Sequence, residues 1–106
     1  MKKKSSNNHR DNYRRQASLC KALANPTRLQ LIEMLGKKQR WAWELQAELG
    51  ISKANLSQHL SVLRAAGVVS AERDGKQLYC GMALPEASVL LKNINRMASR
   101  ASGRAG

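Results

Sequence analysis

Turn-forming residues cut this chain into short pieces, and that punctuation limits its folding choices more than any other feature. Asn25-Pro26, Gly36, Gly50, Gly67, Asp74-Gly75 and Pro85 each interrupt an apolar pattern. No apolar run between them approaches the ~18 residues of a membrane span. With 106 residues, the chain has room for one small domain with a modest core. No internal repeat is present.

Between the breaks, the spacing of apolar residues predicts mostly helix. Tyr13, Ala17, Cys20 and Ala24 share one helical face, with Leu23 at its edge. Asn25 is a good N-cap and Pro26 suits the first helical position, so a second helix is expected from Pro26 to Leu35. It buries Leu29, Ile32 and Leu35, and Gly36 ends it; residues 37–40 then form a basic connector. A third helix runs from about Trp41 to Leu49 with Leu45 and Leu49 inward, and Gly50 takes a left-handed cap. Ser52 caps a fourth helix that Gly67 closes. Asp74-Gly75 between two strand-like runs predicts a hairpin. Pro85 to Arg100 reads as a last amphipathic helix with Ala87, Leu91, Ile94 and Ala98 on one face, flanked by Leu90 and Met97. The expected fold is mainly α with a small β-hairpin: a winged helix-turn-helix of order α-α-α-α-β-β-α over residues 13–100. Residues 1–12 are expected to be a disordered basic tail and 101–106 a flexible C-terminal tail.

The fourth helix, SKANLSQHLSVLRAAG, carries the functional signal. Leu56, Leu60 and Leu63 cluster on one side of a helical wheel, and Ala54, Gln58 and Ser61 lie opposite. Asn55 and Ser57 occupy the shoulders. Solvated helix faces usually carry Glu and Lys, yet no acid occurs from Ile51 to Val69. A small, polar, acid-free face suits the major groove, where Asn and Gln pair bidentately with adenine and Ser serves several bases. Lys53 sits at the helix start, within reach of phosphates. Arg73 and Lys76 flank the hairpin turn and would meet the minor groove or backbone. Charge agrees with a polyanionic partner. The chain has 19 Lys and Arg against 7 acids, formally +12. The excess lies at the ends: net +5 over residues 1–15 and +3 over residues 86–106, against +4 for everything between.

Other classes find little support. No nucleophile–base pairing, phosphate loop or paired carboxylates appear, so an enzyme is not expected, and no cofactor is implied. MKKKSSNN is basic but lacks the apolar stretch of a secretory signal, and two cysteines make no disulfide scaffold. These features point to a cytoplasmic protein without a membrane partner.

The ordered set LANPTRLQLIEML, ELQAELGISKANLSQHLSVLRAAGVV and RDGKQLYC resembles the ArsR/SmtB family of bacterial winged-helix repressors. The resemblance covers about residues 13–100. It implies a homodimer through the first and last helices, binding a double-stranded operator with inverted half-sites about one DNA turn apart. The apolar faces of both helices fit that role. It also implies repression relieved by an effector. Metal-sensing members often carry Cys-x-Cys-Asp-Leu where this chain has Trp41-Ala42-Trp43-Glu44-Leu45. Indole cannot ligate a soft metal. A second family site uses Asp, His and Glu of the last helix, which here has Glu86 and no histidine, so no metal site is expected. His59, beside the leucine face, is read as structural or backbone-contacting.

Trp41 and Trp43 are two residues apart and cannot both face one core; packing is the favoured reading, with one of them filling core volume. Cys20 and Cys80 remain as candidates for a thiol switch answering an oxidant or reactive sulfur species. Inert burial is the strong competing reading, since Cys20 sits on an apolar face and suits a small buried hydrophobe. Trivalent arsenic, a small organic ligand near Trp41 and Trp43, and an architectural DNA-binding protein without a switch are the alternatives.

Overall fold

The computed structural model describes residues 2–105, with side chains described for 9–101. The elements run α1 (Lys2–Leu23), α2 (Pro26–Lys37), β1 (Arg40–Trp41), α3 (Ala42–Leu49), α4 (Lys53–Ala65), β2 (Val69–Asp74), β3 (Gln77–Met82) and α5 (Glu86–Ala105). This is the expected helix order and hairpin, with one added strand. β1 pairs antiparallel with β3, Arg40 opposite Cys80 and Trp41 opposite Tyr79, so the sheet order is β1-β3-β2. The hairpin strand β3 is therefore the central strand, which buries Cys80 completely.

The helix ends follow their caps. Asn25 Oδ1 accepts from the backbone N–H groups of Thr27 (2.9 Å) and Arg28 (3.2 Å) at the start of α2. Ser52 Oγ accepts from Asn55 N–H at 3.0 Å at the start of α4. Gly50 ends α3 with φ +64°, the left-handed cap expected there. Gly36 does not end α2, which continues to Lys37. A Cβ at Gly36 would collide with the Ser88 hydroxyl, so this glycine lets α5 approach α2 closely.

The core is built from Leu31, Ile32, Met34 and Leu35 of α2, Leu45 of α3, and Leu56, Leu60 and Leu63 of α4, with Val68, Val69 and Cys80. Fully burying one such side chain contributes roughly 1.5–3 kcal/mol. Leu29 is only partly buried, while Leu31 and Met34 are inside; α2 packs on α4, β3 and α5 together, so more than one of its faces is covered.

α1 begins at Lys2 and α5 extends to Ala105, so both run through the segments read as tails, 1–12 and 101–106. No glycine or proline interrupts residues 2–12, so nothing stops the helix from running on. Described residues 9–18 of α1 are all exposed. Among its described residues, α1 docks through Leu19, Ala22 and Leu23, leaving Tyr13, Ala17 and Cys20 outside. α5 likewise docks through Ala87 and Leu91 and leaves Val89, Leu90 and Met97 exposed. No helix among the described residues is long and apolar enough to cross a membrane.

Candidate nucleic-acid interface

α3, Gly50-Ile51-Ser52 and α4 form the helix-turn-helix, and the β2–β3 hairpin forms the wing beside it. α4 packs on α1, α2, α3 and β2. Its leucines point into the core: Leu56 and Leu60 are 2% exposed and Leu63 is 0%. Lys53, Ala54, Asn55, Ser57, Gln58 and Ser61 are all exposed. Among the described residues, the side chains of Asn55, Ser57, Gln58 and Ser61 make no hydrogen bond within the chain. Their donors and acceptors are free for a ligand. The wing reverses at Gly75-Lys76, with Asp74 paired to Gln77 and Arg73 to Leu78. Gly75 has φ +64°, which a two-residue turn needs. Arg73 and Lys76 are both exposed at this tip. The eight candidate DNA-contacting residues thus lie on two neighbouring exposed elements.

A network behind the interface was not legible in the sequence. Arg28 donates through Nε to Ala22 O, through NH2 to Lys21 O at 3.4 Å, and through NH1 to His59 Nδ1 at 3.2 Å. The sequence offered only an Arg in the helix start and a His beside the leucines, and nothing about their meeting. On the wing side, Arg40 NH2 donates to Glu48 Oε1 at 2.9 Å, and its Nε lies 3.8 Å from Glu44 Oε2. The Glu48 hydrogen bond, helped by the charges of Glu48 and Glu44 against partial desolvation, raises the Arg40 pKa further. Glu44 Oε1 also accepts from Trp41 N–H at 3.0 Å, capping α3.

Neither tryptophan fills the core. Trp41 is half-buried against Tyr79, with ring centroids 4.8 Å apart and planes tilted by 51°. Trp43 is 58% exposed. β1 carries Trp41 at the sheet edge, so leucines supply the interior volume instead. A cleft of about 490 Å³ lies between α2 and α5, bounded by Leu29, Glu33, Gly36, Ser88 and Leu91; neither tryptophan lines it.

Cys20 and Cys80 are both free thiols, Cys20 exposed and Cys80 buried. α1 packs on α2 and α4, whereas β3 packs on β1, β2, α2 and α3. Burial pushes the Cys80 thiol up from its ordinary value, with the charge of Arg64 pulling the other way. Among the described residues no cluster of three His, Cys, Asp or Glu side chains is arranged to hold a metal ion.

The comparisons agree with this geometry. The profile of the family described as "Bacterial regulatory protein, arsR family" matches residues 25–71, from the cap of α2 into the wing. The chain is 38% identical over 89 residues to the uncharacterized HTH-type transcriptional regulator Rv0081 of Mycobacterium tuberculosis, covering 83% of this chain and 78% of that protein. The crystal structure of Rv0081 superposes with a TM-score of 0.77, covering 89% of this chain and 96% of the other. The biofilm growth-associated repressor of Agrobacterium fabrum is 41% identical over 78 residues, 74% of this chain and 67% of its own length. The solution structure of the homodimeric winged helix-turn-helix DNA-binding domain of Mb0332 from Mycobacterium bovis is 27% identical, with a TM-score of 0.74 over 84% of this chain and 82% of that one. By sequence and by fold, this chain belongs to the arsR family of bacterial DNA-binding transcriptional regulators and is not an enzyme.

Proposed function

We propose that this protein is a homodimeric repressor that reads an inverted-repeat operator with α4 and holds the backbone with its wing. The observation that carries this is the two-faced character of α4. Buried leucines anchor it, and an unpaired, acid-free polar face looks outward. Asn55, Gln58, Ser57 and Ser61 are the base-reading residues, with Ala54 leaving room for a thymine methyl. Lys53, Arg73 and Lys76 hold phosphates. The dimer is formed by the exposed apolar faces of α1 and α5, where Tyr13 is 68%, Val89 61% and Met97 67% exposed. Unpaired surfaces of this kind are unusual on a stable monomer, and the relative Mb0332 domain is described as homodimeric.

The effector reading is thiol-directed and begins at Cys20. Cys20 is exposed, whereas Cys80 is buried with a thiol that ionises reluctantly, so an oxidant or reactive sulfur species meets Cys20 first. Binding of the protein to its own upstream DNA, with and without a mild oxidant or polysulfide, tests both statements. Intact mass is read on the same samples. DNA release with a two-hydrogen loss or added sulfur supports the thiol reading, and unmodified thiols with unchanged binding remove it. Equal affinity for the upstream DNA and for unrelated duplex would leave an architectural binder in place of a repressor.

A further inference from the structure

We infer that Arg28 and His59 are positioning residues that fix the setting of the recognition helix, and that they do so only while His59 is neutral. The inference rests on α4 being the DNA-reading helix. Three helices meet at one guanidinium. Arg28 lies in the first turn of α2, its Nε and Nη2 donate to the carbonyls of Ala22 and Lys21 in the last turn of α1, and its Nη1 lies 3.2 Å from His59 Nδ1 on α4. The two carbonyls belong to the last turn of α1: Lys21 O also accepts from Ala24 N–H at 3.2 Å, and Ala22 O lies where helix carbonyls run short of intrahelical partners. Arg28 therefore caps α1 and grips α4 with the same planar group.

The chemistry of the pair is one-directional. Arginine offers only donors, so His59 Nδ1 must be the unprotonated nitrogen, leaving Nε2–H as the sole donor of the ring. Protonating His59 removes the acceptor and sets two cations side by side. Among the described residues no acid is paired with His59, and Glu33 of α2 is exposed and lines the cleft toward α5. Lys21 of α1 lines the same corner and is cationic. On α3, Glu44 and Glu48 are engaged by Arg40. On β2, Glu72, Arg73 and Asp74 are exposed on the wing, and α4 itself carries no acid.

A cleft of about 380 Å³ opens between α1, α2 and α4, bounded by Ser18, Lys21, Ala22, Arg28, Val62 and Ala65. The polar tie spans the same junction. His59 precedes Leu60 and follows Gln58, so a shift at His59 moves the base-reading face directly.

The test measures affinity for the upstream operator and for unrelated duplex in parallel, using the full chain. Arg28→Lys keeps the charge but replaces a three-pronged donor with one ammonium. Roughly tenfold loss of operator affinity is expected, the size of one charge-assisted hydrogen bond, with affinity for unrelated duplex unchanged. His59→Ala should lose the same factor, and the double variant should lose no more than either single one. His59→Asn places an amide oxygen where Nδ1 was and should restore operator affinity. Imidazole ¹⁵N shifts of the free protein should show Nδ1 unprotonated and hydrogen-bonded in the wild type, and should change in Arg28→Lys. Wild-type selectivity that survives both Arg28→Lys and His59→Ala overturns the positioning role alone. A wild type that never selects this DNA overturns the reading of α4, and the positioning role falls with it.

Discussion

α4 and α5 are both helices with one face in the core and one face left outside, but their outer faces are chemical opposites. α4 presents Asn55, Ser57, Gln58 and Ser61, while α5 presents Val89, Leu90 and Met97. The first kind of face gains by exchanging water for base edges and phosphates; the second gains by losing water altogether. The same scaffold thus separates two tasks by composition. In the proposed function the helix-turn-helix meets nucleic acid, and the terminal helices meet a second copy of the chain. Gly36 links the regions, since its missing side chain seats Ser88 of α5 against α2.

The contrast can be tested by substitution. The largest effect is expected inside α4: Leu63→Ala should lower unfolding free energy by about 2–5 kcal/mol in chemical denaturation, because Leu63 is fully buried. Next, Gln58→Ala should leave stability nearly intact and cost about 1–3 kcal/mol of operator discrimination in competitive binding. A uniform loss on all DNA would show that the reading face has been misplaced. Gly50→Ala should cost about 1 kcal/mol of stability; no atom lies within 4 Å of the added Cβ, so the strain of φ +64° accounts for it. The smallest effect on stability is expected on α5. Val89→Glu with Met97→Glu should change protomer stability by no more than about 0.5 kcal/mol. In sedimentation the same variant should shift the protein toward monomer. If association persists unchanged, the outer face of α5 is not the dimer surface.

Much of this was legible in the sequence where signals are local. The cap at Asn25-Pro26, the left-handed Gly50, the Asp-Gly reversal and the leucine stripe of α4 each depend on residues a few positions apart, and each element formed where expected. β1 escaped notice because two residues cannot show an alternation. α2 shows more burial than one stripe predicts because several elements pack around it. One of the two tryptophans was expected in the core; instead Trp43 is exposed and Trp41 leans on Tyr79 at the sheet edge, a partner that only strand register supplies.

By itself the sequence determined the order of helices, the turn positions, the two-faced character of α4 and the excess of positive charge. Helical periodicity, capping and composition are short-range properties, so one strand of text carries them. The tertiary structure alone decided that β3 is central and seals Cys80 away, that Cys20 stays outside, and that Arg28 meets His59 across 31 residues of chain. Those outcomes depend on which distant segments pack together. Pairing of that kind is set by the summed burial of the whole core rather than by any local pattern.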